Sequence, residues 1–113
     1  MPHCLVEYAK ELEDQVAISA LVQAVFQGAL SSGLFEASQI KTRAQAFEHY
    51  LVADKKAAFV HVTLSILSGR TGEQKAQLSM QVLNQLKSLS LHQASLTVEV
   101  RDLDKTCYAK AII

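Results

Sequence analysis

Pro2, the only proline in the chain, stands directly behind Met1 and opens a strand-like run, Pro2-His3-Cys4-Leu5-Val6-Glu7-Tyr8. Once Met1 is removed, the chain begins with a secondary amine on a rigid ring, which can accept and return a proton. A proline is also tolerated at the first position of a strand for purely structural reasons, because its missing N–H costs nothing there. Three cations stand where they can accompany such a base. Lys41 and Arg43 are two residues apart and so share one face of a strand-like segment. Arg70 precedes a helix start, where backbone N–H groups can assist in holding an anion.

The remaining reactive side chains read as packing or solvated groups. His61 sits on a half-buried strand as an interface residue, and alternation points His3 away from the face of its neighbour Pro2. His49 and His92 lie in connections. Cys4 shares the Pro2 face, but Cys4 and Cys107 lie near opposite ends without metal-ligand spacing and read as free thiols. The order of Ser, His and Asp suits no catalytic triad, and neither a phosphate-cradling glycine loop nor a metal cluster is present.

Eleven basic residues balance eleven acidic ones and are scattered along the chain, which removes the electrostatic footprint of a nucleic-acid binder. No stretch approaches the length of an apolar membrane span, and the N-terminus lacks the basic and apolar regions of a signal peptide. The expected location is the cytoplasm.

Positioning an N-terminal amine beside cations requires a framework, and the hydrophobic pattern supplies one. The 113 residues read as a single domain, 1–113, with pseudo-repeats at about 2–48 and 58–103. After the first strand, Ile18, Leu21, Val22, Val25, Phe26 and Ala29 mark one apolar face of a helix over Glu13–Ser32. Glu13 and Asp14 are expected in its first turn and Gly33 at its stop. Ile40–Phe47 alternates with period two, placing Lys41, Arg43, Gln45 and Phe47 together. The order then repeats: a strand over Ala58–Leu67, a capping box at Thr71–Gln74, a helix carrying Leu78, Val82 and Leu86, and a strand through Leu96, Val98 and Val100.

Two strand-helix-strand units, each with parallel strands, give an α/β (α+β) fold with a four-stranded mixed sheet and both helices on one face. The other face carries Lys41, Arg43, Phe47, Phe59, His61, Thr97 and Arg101, a mixture that implies burial against other subunits. Closed cyclic assembly would also protect the sheet edges.

An N-terminal proline ahead of a strand, two such units, and basic residues on the second strand and at the next helix start resemble the tautomerase superfamily. Met1-Pro2-His3 with Val6-Glu7, Gly33-Leu34-Phe35, Ile40-Lys41-Thr42-Arg43, Ala58-Phe59-Val60-His61-Val62-Thr63-Leu64 and Gly69-Arg70 are most similar to its 5-carboxymethyl-2-hydroxymuconate delta-isomerase family. The resemblance runs in order from Pro2 to about Gln74, and the last third matches mainly in pattern. It implies a homotrimeric isomerase of aromatic catabolism, acting on a small enol or dienol carboxylate without metal or organic cofactor, with Pro2 as catalytic proton carrier and sites near subunit boundaries. It further implies that Lys41, Arg43 and Arg70 bind the substrate.

The chemistry implied is coherent. A free amine is mostly protonated at neutral pH, so it acts as a base only if burial and nearby cations lower its pKa. The same cations would hold a dicarboxylate and stabilise charge developing on an enolate oxygen. One departure stands out: the family pattern has arginine where this chain has Lys41, and lysine lacks the two-pronged grip on a carboxylate. That keeps open two alternatives, a tautomerase of another enol acid and a non-catalytic trimeric binding or scaffold protein of the same fold.

Overall fold

Strict alternation along Ala58–Leu67 decides how the sheet is used: Ala58, Val60, Val62, Leu64 and Ile66 are buried, while the residues between them are only partly covered. The computed structural model, which describes residues 1–113, places this strand, β3, at the centre of a four-stranded sheet. The other elements are β1 (His3–Ala9), α1 (Ile18–Ser31), β2 (Lys41–Phe47), α2 (Gly72–Lys87) and β4 (Ala94–Leu103). The sheet order is β2-β1-β3-β4. Each helix crossover joins parallel neighbours, β1 to β2 and β3 to β4, and the two units meet along the antiparallel β1/β3 seam, where Val6 faces Val62.

The first helix differs from the sequence expectation. Lys10–Asp14 forms a 3-10 turn with Leu12 buried, and α1 begins only at Ile18 behind Ala17, which offers no side-chain cap. Glu13 and Asp14 therefore belong to the preceding turn and not to the first turn of α1. Glu13 instead accepts a hydrogen bond from the Tyr8 hydroxyl at 2.8 Å, so local hydrogen bonding outweighs the dipole preference that placed it in the helix. Gly33 does follow the helix with φ +75°, a conformation open to glycine at little cost. The capping box at α2 is complete: Gln74 N–H donates to Thr71 Oγ1 at 3.1 Å, and Thr71 N–H donates to Gln74 Oε1 at 2.9 Å.

Both helices pack on one face of the sheet. Leu21, Val25 and Ala29 of α1 and Leu78, Val82 and Leu86 of α2 meet Cys4, Val6 and Tyr8 of β1 and the inward row of β3. No polar or charged residue is buried. Each fully buried Leu or Val contributes about 1.5–3 kcal/mol by leaving water, so this continuous apolar layer is what fixes the sheet's direction. None of the helices is long and apolar enough to cross a membrane.

The opposite sheet face has no covering layer within the chain. His61 stands between Thr97 and Glu99, at 2.6 Å from each, and Arg101 Nε donates to the second Glu99 oxygen at 2.7 Å. Phe47, Tyr50 and Phe59 form an aromatic cluster beside it, with Phe59 5.1 Å from Tyr50 and 6.1 Å from Phe47 between ring centroids.

Candidate active site

Pro2 is fully buried at the threshold of β1. Its carbonyl accepts the backbone N–H of Lys41 at 3.0 Å, which starts the parallel pairing with β2 and locks the N-terminus to the sheet. The α-amine of Met1 donates to the Gln39 carbonyl at 3.0 Å. With Met1 in place the Pro2 nitrogen is a tertiary amide and has no useful basicity.

Beside this N-terminus lies a cleft of about 330 Å³, lined by Met1, Leu34, Phe35, Gln39, Leu67, Arg70, Tyr108 and Lys110. Four separate stretches build it: the start of the chain, the connection after α1, the end of β3 with the loop into α2, and the C-terminal tail. Its charged side chains are both cationic. Arg70 is held against one wall, with Nη2 donating to the Leu34 carbonyl at 2.8 Å and the guanidinium carbon 5.8 Å from the Phe35 ring centroid. Arginine has five donors, so N–H groups remain for a ligand. A larger hollow of about 940 Å³ lies elsewhere, lined among others by Glu11, Asp14, Lys55, Lys56 and His92. Its mixed charges and distance from Pro2 along the sheet make it the poorer candidate for anion chemistry.

The α-amine at Met1 has its pKa lowered below the ordinary value, first by burial and then by the positive charges of Lys41 and Lys110. Burial and neighbouring positive charge both disfavour the protonated form of an amine.

Of the residues expected from the sequence, only Arg70 lines the cleft; Pro2 is buried behind Met1, which does line it, and Lys41 and Arg43 do not. The reason is the register of β1 with β2: Lys41 pairs with His3 and Arg43 with Leu5, so both side chains rise from the uncovered sheet face while the cleft opens at the sheet's end. Arg43 turns to His3, with Nη1 3.4 Å from Nδ1. Guanidinium can only donate, so Nδ1 of His3 accepts, and Nε2–H donates to the Tyr108 hydroxyl at 3.0 Å. Lys41 acts on the N-terminus through its charge.

Tyr108 and Lys110 escape the sequence reading. They follow a short 3-10 turn at Lys105–Cys107 and carry no periodicity; the only local signal is Asp104, whose carboxylate accepts from Thr106 N–H at 2.9 Å and ties the turn. His61, held by Thr97 and Glu99, lies on the uncovered face as expected for an interface residue. Cys4 and Cys107 are free thiols, buried and exposed respectively.

The family model described as 5-carboxymethyl-2-hydroxymuconate isomerase matches residues 2–111. No curated protein matches the chain by sequence. Among solved structures, a 5-carboxymethyl-2-hydroxymuconate isomerase from Deinococcus radiodurans R1 is 25% identical with TM-score 0.83, over 97% of this chain and 88% of that one. A 5-carboxymethyl-2-hydroxymuconate delta-isomerase is 16% identical with TM-score 0.79, over 100% and 88%. The "Q0 fused 4-OT wild type symmetric trimer" is 23% identical with TM-score 0.82, over 96% and 91%. The last two likenesses establish the tautomerase-like fold.

Proposed function

The chain belongs to the 5-carboxymethyl-2-hydroxymuconate isomerase family and is an isomerase, and from that premise we propose that it ketonises an unsaturated 2-hydroxy acid with several carboxylates, of the 5-carboxymethyl-2-hydroxymuconate type, in the cytoplasm, without metal or organic cofactor. Pro2 is the proton carrier. The observation that carries this reading is a buried Pro2 directly behind Met1, whose small cleft is lined by Arg70 and Lys110 and by no carboxylate.

Removal of Met1 converts the Pro2 nitrogen from a tertiary amide to a secondary amine. Unprotonated, that amine takes the proton of the substrate's 2-hydroxyl as the enolate forms, then returns it to a carbon of the conjugated system. The proton count is unchanged, and the product is the 2-oxo isomer. Burial and neighbouring cations, which depress the α-amine of Met1, are the influences a free Pro2 amine needs to act as a base, and Arg70 supplies charge-assisted hydrogen bonds to a carboxylate or to the developing oxyanion.

The active form is a homotrimer. The uncovered sheet face, with its half-buried Leu5, Phe47, Phe59 and His61, is the surface a neighbouring copy would cover, and two neighbours in fold are themselves described as symmetric trimers. In that assembly Lys41 and Arg43, which face outward here, stand at the boundary between copies. The test is to mix processed protein with 5-carboxymethyl-2-hydroxymuconate and follow loss of dienol absorbance, with light scattering on the same sample. Turnover at three chain masses is expected, and a stable monomer without turnover overturns the reading.

A second reading, isomerisation of a different enol acid, is favoured by Lys41 at the position where the family pattern has arginine. A panel of enols with one and with several carboxylates distinguishes the two, since the first reading requires the polyacid to be preferred.

A further inference from the structure

We propose that Lys110, in the tail beyond β4, selects a second carboxylate on the ligand of this cleft. The choice of a ligand with more than one carboxylate rests on the function proposed above. Arg70 and Lys110 reach the cleft from separate parts of the chain, one from the loop ahead of α2 and the other from the tail. Arg70 is already seated on the Leu34 carbonyl and the Phe35 ring, which fixes it as one anchor. Lys110 takes part in none of the chain's ion pairs. An ammonium without an ionic partner at the cleft keeps its charge and its N–H donors available to an anion.

The tail is held so that this cation stays in place. Asp104 ties the turn before it, accepting from Thr106 N–H at 2.9 Å and from its hydroxyl at 2.7 Å. Tyr108 is then fastened by His3 at 3.0 Å, with the two rings edge to face at 6.0 Å. Lys110 follows two residues later, near enough for its charge to act on the N-terminal amine. Lys41, by contrast, does not line the cleft. Two cations lining one cavity of about 330 Å³ suit a short dicarboxylate, and a monocarboxylate would leave one of them unsatisfied.

The test is calorimetric binding of adipate and hexanoate to the full chain with Met1 present, so that turnover is not required. Lys110 is exposed, and its substitution disturbs no packing. Lys110→Gln is expected to weaken adipate about tenfold while changing hexanoate less than about twofold, and Lys110→Arg is expected to keep the preference. Equal weakening of both ligands, no effect on either, or an unsubstituted chain that does not prefer adipate overturns the proposal. Lys110-dependent preference for adipate in a protein whose processed form isomerises no dienol upholds the role of Lys110 and overturns the proposed reaction instead.

Discussion

His3 Nε2 donates to the Tyr108 hydroxyl at 3.0 Å, across 105 positions of sequence, while its other ring nitrogen faces Arg43. The imidazole is neutral in this arrangement. Burial lowers its pKa below 6.5, and Arg43, Lys41 and the N-terminal amine push in the same direction.

That lowered pKa predicts an acid sensitivity. The unfolded chain binds a proton at His3 more readily than the folded one, so stability from this site is present above about pH 6.5 and is lost as pH falls through the lowered folded value. Urea midpoints should therefore fall between pH 7 and 5, above the range where Glu99 and Asp104, both shifted downward, begin to titrate. His3→Gln should flatten this slope. An unchanged slope would show that His3 is not the group responsible.

At Gly28 the backbones of the two helices lie close together. A Cβ there would lie 2.7 Å from Val82 Cα and 3.1 Å from the Gln81 carbonyl oxygen, both backbone atoms that cannot swing aside. Gly28→Ala should cost about 1–3 kcal/mol in urea denaturation despite the better helix propensity of alanine. A neutral or stabilising result would mean that α1 and α2 separate more easily than their packing implies.

The two thiols should react very differently. Burial pushes Cys4 up to about 11, whereas Cys107 is exposed. At pH 8 a thiol reagent should modify one cysteine per folded chain, at Cys107, and the second only on unfolding. Rapid labelling of Cys4 under native conditions would contradict its place in the core.

Much of this architecture is legible in the residue pattern. The alternation of Ala58–Leu67 and the Thr71–Gln74 box each determine their element through contacts a few residues apart or through a single buried face. The start of α1 is not legible in the same way: acidic Glu13 and Asp14 suit a helix N-terminus, but Tyr8 captures Glu13 and the turn closes early. For the site, alternation correctly places Lys41 and Arg43 on one face, yet it says nothing of where along the sheet a cleft opens. Tyr108 and Lys110 reach that cleft through His3, a partner whose distance in sequence leaves no periodic trace.

The central claim is that a free amine at Pro2 carries the proton. Forms of the protein with and without Met1, separated by chromatography and identified by intact mass, should be compared for turnover of a 2-hydroxydienoic acid. The account predicts that the processed form is active and that the Met1-bearing form, whose Pro2 nitrogen is an amide, is not. Equal activity of the two forms would contradict it.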